Sequence, residues 1–472
     1  MLNKNSNIKY DNVIAVLVCL LSVFGMISLT GIRILGVTLT AYRIAIPVIL
    51  IYYLFCIIKD CHFDLIKRKG YLDIKLSMSF FAIWIIYGII QTAIGYNLNR
   101  VDAIRELLAL ILGFMCIAII ILLTVRGVQP KAFILAIKCI FIGLLVFAYI
   151  ETIFGIHLET SKIYEIMQTS EKAAGQVKYL ATTIFYNVND YAAFITIFLP
   201  LFFISNNKKA YIFNLLVVAL SVAMIIRLDA WISLFALGVS IIVWAVVGLL
   251  CKKERHISTY IKGLGVIAVF LIAYNFGHLI FDGLDSVLPF RNSDMEVEGN
   301  MMNGSLGISD VLSAQLGENA TGSSGSLRIN TYLESIKNMF QDTFGLGYGP
   351  GNFSNYLMRE ADISNFLTNP HSLWVEIFVQ YGVVIFVAYM IILVFLYISL
   401  IRTYLKYRSQ VVLAAILIDT SYVLASFNPS SFLAYPYQWI VIGLSLAALM
   451  IKDLRGDKAK LRYKEKYIWG KL

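Results

Sequence analysis

Charge is the scarcest commodity in this sequence: of 472 residues, 14% are Asp, Glu, Lys or Arg and 59% are hydrophobic. Soluble domains carry about a quarter charged residues and a roughly even apolar share, so a water-soluble globular fold is excluded. Cysteine is sparse as well. The six lie at 19, 56, 61, 116, 139 and 251, none within the longest polar segment, so no disulfide framework is expected there. No CxxC pair and no HExxH occurs, so no zinc motif is present. The net charge of +10 has no folded basic domain behind it, which excludes a nucleic-acid-binding reading.

What the chain has instead is apolar runs. About 20 apolar residues cross a ~30 Å hydrocarbon core as a helix. About twelve such runs occur, at 12–31, 37–58, 77–95, 106–125, 132–154, 186–205, 210–226, 229–250, 263–281, 372–400, 410–427 and 436–451. The expected class is an all-α polytopic membrane protein. The first run follows Lys4 and Lys9 without a small-residue cleavage site and reads as a retained anchor. Lys and Arg concentrate in alternate connections, including "KRK" (67–69), "KK" (208–209), "KKER" (252–255) and the tail from Lys452, which assigns these and both termini to the cytoplasm. The expected organisation is a bundle of nine spans (1–281), a large extracytoplasmic loop (282–371), three further spans (372–451) and a basic cytoplasmic tail (452–472). Within the spans, Arg43 and Lys138 are the basic residues that stand out.

The segment 282–371 holds 90 residues, 11 acidic and 4 basic. A connection that long is functional or disordered. Its second part reads as helix: in "SLRINTYLESIKNMF", starting at Gly325 or Ser326 with Arg328 in the first turn, Ile329, Tyr332, Leu333, Ile336, Met339 and Phe340 recur at helical spacing. This apolar face suits the membrane surface or packing over the bundle. "FGLGYGPGNF" (344–353) then breaks the chain, either as a phosphate-cradling turn or, more in keeping with its lack of a Walker lysine, as a tight turn between helices. The connection 155–185 carries Glu159, Lys162, Glu165, Glu171, Lys172 and Lys178, the alternation of a solvated face. No internal repeat relates the two halves, which counts against secondary transporters.

In "LTNPHSLWVEIFVQYG" (367–382), Asn369 is a favoured N-cap and Pro370 suits the first helical position, which puts His371 in the first turn of a span. The positive helix end disfavours imidazolium there, so a neutral His371 can accept a proton. It is a candidate general base, the alternative being a capping or interfacial histidine. Arg227 ends a span in "SVAMIIRLDAWISLFALG", with Asp229 as partner if its role is structural. Arg227 and Arg328 supply two guanidinium groups, whose planar forks match phosphate oxygens. The first outer loop, "GIRILG", lacks the acidic pair that metal-dependent transferases would hold there; two arginines can neutralise a pyrophosphate leaving group instead of a divalent ion.

Arg227 at a hairpin, Arg328 opening an amphipathic helix, "FGLGYGPGNF" and "NPHSLWVEIFVQYG" together resemble the O-antigen ligase and Wzy-type polysaccharide polymerase family of bacterial envelopes, over about residues 220–400. The chain departs from the family at Ile226, where a small hydroxyl residue is usual, and at Ser372, where Asn is usual. The resemblance implies a GT-C-like helical bundle in the bacterial cytoplasmic membrane and a metal-independent, inverting glycosyl transfer on its outer face, with no cofactor. It implies an undecaprenyl-pyrophosphate-linked glycan as donor and a glycan hydroxyl as acceptor. It also implies membrane lipids as surroundings, and a flippase and a chain-length regulator as pathway partners. His371 would be the base and Arg227 and Arg328 would hold the pyrophosphate, joined by Arg105 or Arg100, unless these pair with Asp102 and Glu106. A polymerase elongating a capsule, exopolysaccharide or O-antigen is the leading expectation. A ligase delivering the glycan to a lipid, wall or protein acceptor and a lipid-linked oligosaccharide flippase are the alternatives.

Overall fold

The computed structural model describes residues 4–25, 27–34, 37–59, 72–94, 99–169, 177–204, 208–249, 257–287, 324–353, 355–356, 372–427, 433 and 435–450. The tail 452–472 and most of 288–371 lie outside them. Helices dominate: α1 (Lys4–Val23), α2 (Ala41–Lys59), α3 (Leu72–Ile94), α4 (Arg100–Val125), α5 (Pro130–Phe154), α6 (Lys162–Thr169), α7 (Val188–Phe198), continued by a 3-10 turn at Leu199–Phe203, α8 (Lys208–Arg227), α9 (Trp231–Leu249), α10 (Ile257–Val287), α11 (Ser324–Thr343), α12 (Leu373–Tyr407), α13 (Gln410–Ala425) and α14 (Tyr437–Leu449). Among the described residues five helices, α3, α4, α5, α8 and α12, are long and apolar enough to cross a membrane. Seven shorter apolar helices coincide with the other expected runs.

Three expectations change. An antiparallel hairpin of β1 (Ser28–Ile34) and β2 (Val37–Thr40), with Ile34 opposite Val37, interrupts the expected all-α fold. "SLTGIRILGVTLT" is rich in β-branched residues around a two-residue Leu-Gly connection, the composition of a hairpin. It shortens the first two runs at their facing ends. The ninth run continues as helix to Val287, six residues into the segment expected to be loop from 282. The helix in the second polar segment starts at Ser324, two residues before Ser326.

Local signals set several boundaries. Asn99 caps α4 by accepting from the Val101 and Asp102 N–H groups. Pro130 opens α5, and Gly155, at φ +65°, closes it with its N–H on the Glu151 carbonyl at 2.7 Å. α4 and α14 form the centre: the Trp439 indole lies so close to Gly113 that a Cβ there would sit 2.3 Å from it. Around it Phe81, Trp84 and Tyr389 pack edge to face, tilted or, for Phe81 on Trp84, stacked.

One end of this bundle collects most of the irregular stretches among the described residues. The Leu373 N–H at the start of α12 donates to the Ser426 carbonyl after α13 (2.9 Å), and Trp374 Nε1 donates to the Val423 carbonyl (3.1 Å). Tyr435, just before α14, donates to Asp190 at the start of α7. Thr152 near the end of α5 meets Met224 near the end of α8. The described residues of 155–187, 228–230 and 344–356 and the start of α12 therefore share that end.

Candidate functional site

The glycine-rich turn is docked into a break in a helix. Gly382, at φ 79° and ψ 177°, interrupts α12, which frees backbone groups on either side. The turn takes them up: the Tyr348 N–H donates to the Val379 carbonyl (3.0 Å), the Gly349 N–H to Gln380 (2.8 Å), and the Val383 N–H to Gly345 (3.0 Å). Gly347, at φ +86°, is required by both conformation and space, since a Cβ would lie 2.5 Å from the Gln380 carbonyl oxygen. The Leu346 carbonyl accepts from Tyr87 and Gln91 of α3, both at 2.7 Å. These donors stand seven and three residues inside the end of α3 at Ile94, about 10 and 5 Å along a helix rising 1.5 Å per residue. The turn is sunk between helices. Its N–H groups at Gly347, Tyr348, Gly349 and Gly351 are all directed at protein acceptors, Gly351 at Glu106 and Gln380. They make a tight, buried junction and not a phosphate cradle.

The turn fixes how α11 runs beside α12. Gly345 is bonded to Val383, and the Phe340 ring is 6.2 Å from Phe378. This near-constant offset makes the two helices parallel and sets Tyr332 beside Ser372, with Arg328 one turn beyond. The hydroxyl contact agrees: burial pushes the Tyr332 phenol up from its ordinary pKa, while the nearby Arg328 guanidinium and Ser372 hydroxyl pull it back. α11 buries only part of the face its sequence advertises. Thr331, Ser335, Met339 and Thr343 face inward, while Ile329 (59%), Leu333 (64%) and Phe340 (48%) stay exposed. Small residues allow the close approach, and Ser335 and Thr343 satisfy their hydroxyls on carbonyls four residues back, each at 2.6 Å.

Arg328 is half-buried, and burial lowers its pKa from the usual arginine value, the mark of a desolvated cation. Its Nε is buried and has no hydrogen-bond partner among the described residues. Ser372 is 1% exposed and occupies the N-cap of α12, yet makes no cap hydrogen bond, and its Oγ is also buried without a partner of good geometry. A buried polar group left unsatisfied costs about 1–3 kcal/mol; Arg328 Nε is one of several such atoms among the described residues, and Tyr332 lies between it and Ser372. His371 lies outside the described residues. The expected cap at Asn369, which would have put His371 in the first turn, is replaced by Ser372, so His371 immediately precedes the cap. Ser is as good an N-cap residue as Asn, so the sequence offered two competing starts.

The other arginines lie on other elements. Arg227 closes α8 at a hairpin in which Asp229 adopts φ +53°, and its guanidinium lies over the Phe281 ring, 5.5 Å from the centroid. Phe281 in turn stacks on Tyr149 of α5 at 5.9 Å. Arg105 pairs with Asp102 at 2.8 Å, and Asp102 also accepts from Asn355 at 3.2 Å. Glu106 is not part of that pair: it turns inward to accept from the Gly351 N–H and the Tyr381 hydroxyl, both at 3.0 Å. Arg43 adds a cation within electrostatic range of Arg105. Arg227, Arg105 and Arg328 thus share one end of the bundle, and Arg328 is the one next to Tyr332, which contacts the residue after His371.

Sequence reasoning missed a buried acid and base nearby. Glu151 and His157 are both fully buried, with Glu151 Oε1 3.3 Å from His157 Nδ1. The other oxygen, Oε2, accepts from the Thr182 and Thr183 N–H groups (3.0 and 2.6 Å), and His157 Nε2 donates to the Lys178 carbonyl (2.7 Å). The signal was Glu151 itself, the only acidic residue in the apolar run of α5.

No family model matches the chain. It is similar to the teichuronic acid biosynthesis protein TuaE of Bacillus subtilis (strain 168), with 22% identity over 397 residues covering 82% of this chain and 74% of that protein.

Proposed function

We propose that this chain is a multi-pass membrane glycosyltransferase of polysaccharide biosynthesis, joining lipid-linked repeat units on the outer face of the cytoplasmic membrane. The observation that carries the reading is the register of α11 on α12, which sets Tyr332 beside Ser372, the residue that follows His371, with the Arg328 guanidinium one helical turn away. The similarity to a teichuronic acid biosynthesis protein supports the pathway class, and the five long apolar helices support the membrane setting. The resemblance of Arg227, Arg328 and the His371 segment to O-antigen ligases and Wzy-type polymerases supplies the roles.

In this mechanism the neutral His371 imidazole accepts the proton of an acceptor sugar hydroxyl. The hydroxyl oxygen forms its bond to the anomeric carbon as the bond from that carbon to the phosphate oxygen breaks, and undecaprenyl pyrophosphate leaves with the electron pair. Attack from the face opposite the leaving group inverts the anomeric centre. Arg328 and Arg227 take up the charge that develops on the diphosphate, in surroundings poor enough in water to make each guanidinium count.

The test is a deletion strain together with purified protein. Loss of a polymerase leaves single repeat units on the normal acceptor, whereas loss of a ligase leaves long chains on the lipid carrier. Purified protein given undecaprenyl-pyrophosphate-linked repeat units should lengthen them. Movement of the lipid-linked sugar across vesicles without lengthening overturns the enzyme reading.

A further inference from the structure

We propose that Ser372 and Tyr332 complete, with Arg328, an oxyanion site at the N-terminus of α12 that holds a phosphate group of the lipid-linked donor. This rests on the glycosyl-transfer reading and adds two residues to the site. Ser372 has the extended backbone of an N-cap, φ −162° and ψ 119°, from which a serine hydroxyl ordinarily accepts a first-turn N–H. It forms no such bond, and its Oγ is held in the interior facing the Tyr332 hydroxyl. A hydroxyl released from capping leaves the first-turn N–H groups directed outward along the axis, where the helix carries partial positive charge. The Leu373 N–H is committed to Ser426, which holds the helix end against α13.

Tyr332 stands between this end and Arg328, one helical turn apart on the same face of α11. The donors therefore differ in kind: a guanidinium whose Nε lacks a partner, a phenol, a serine hydroxyl and a helix N-terminus. Phosphate, with several oxygens turned in different directions, can meet such a set, whereas a carboxylate offers two oxygens in one plane. Burial keeps the Tyr332 hydroxyl protonated, as a donor must be. The same chemistry would take a free diphosphate, and the arms of the test separate the two sources.

The experiment uses the full chain in phosphatidylcholine nanodiscs, with farnesyl diphosphate and inorganic pyrophosphate as probes and binding read by calorimetry. Ser372→Ala and Tyr332→Phe should each weaken farnesyl diphosphate binding roughly tenfold, a fold-change of about 1.4 kcal/mol. Ser372→Thr, which keeps the hydroxyl, should restore most of it and also guards against a folding defect. Binding of both probes, weakened by the same variants, supports a site that reads phosphate alone; binding of farnesyl diphosphate only, with the same loss, supports a lipid headgroup. Wild-type affinity in Ser372→Ala and Tyr332→Phe, or no binding of either probe to the parent protein, overturns the inference. If Arg328→Ala abolishes glycan transfer while these two variants bind normally, this inference alone falls. If Arg328→Ala transfers glycan at the parent rate, the reading it rests on falls with it.

Discussion

Two irregular stretches at the same end of the bundle enclose different kinds of polar group. In the connection after α5 an acid lies against a base: Glu151 Oε1 is 3.3 Å from His157 Nδ1, Oε2 accepts two backbone N–H groups, and His157 finds the Lys178 carbonyl. Around α11 and the start of α12 the enclosed groups are a cation and two hydroxyls, Arg328, Tyr332 and Ser372. Both stretches hold buried polar atoms without a hydrogen bond, Thr182 Oγ1 and Thr183 Oγ1 in the first and Arg328 Nε in the second. Unmatched atoms alone therefore do not mark a site, and the kind of charge enclosed is more telling.

The comparison is broken or sharpened by four measurements. The largest effect is expected from His371→Ala, which should lower the transfer rate 10²–10⁴-fold, the usual contribution of a general base, with the thermal midpoint unchanged. Near-normal turnover would remove His371 from the chemistry. Next, Glu151→Ala leaves His157 buried without its partner and should cost about 3–5 kcal/mol of stability, read as a lowered midpoint in detergent. The fraction that stays folded should transfer glycan normally, and a specific loss of rate would make the first region catalytic too. Gly347→Ala forces a side chain into positive φ and onto the Gln380 carbonyl, costing about 1–3 kcal/mol from backbone strain before any clash. It should lower stability and rate together, because the junction that sets α11 against α12 is lost. The smallest effect is expected from Arg105→Ala: its exposed pair with Asp102 contributes about 0–1 kcal/mol, and transfer should be nearly unchanged. A large fall would bring Arg105 into the diphosphate site.

The pH profile separates the roles further. A neutral base works above its own pKa, so the rate should fall as pH drops through about 6.5, the ordinary histidine value, as His371 gains a proton. Tyr332, pushed upward by burial, keeps its proton on the alkaline side, so diphosphate binding should hold steady from about pH 7 to 9. Loss of binding in that window would assign the donor to another group.

Much of the helix pattern was legible because apolar runs declare themselves by length. The twelve expected runs each overlap an apolar helix, and five of these are long enough to cross a membrane. Boundaries were less legible where two local signals compete. The hairpin at Ser28–Thr40 hid inside apolar residues that suit strand and helix alike, and Ser372 prevailed over Asn369 as the start of α12. Of the site, Arg328 could be read from a guanidinium opening an amphipathic helix. Tyr332 could not, since an aromatic at helical spacing reads as core. Its role follows from the offset between α11 and α12, and that offset is set by hydrogen bonds to a helix break that periodicity does not reveal.

Because α12 is cut at Gly382, its leading stretch from Leu373 to Tyr381 is not rigidly continuous with the rod behind it. It is spliced instead to the glycine turn, which is tied to α4 through Gly351 and Glu106 and to α3 through Leu346. The leading stretch is also pinned to α13, through the Leu373 N–H on Ser426 and the Trp374 indole on Val423. One helix thus serves two neighbourhoods: its first part belongs with α3, α4 and α13, and the segment that follows His371 takes its position from them more than from the rod behind it.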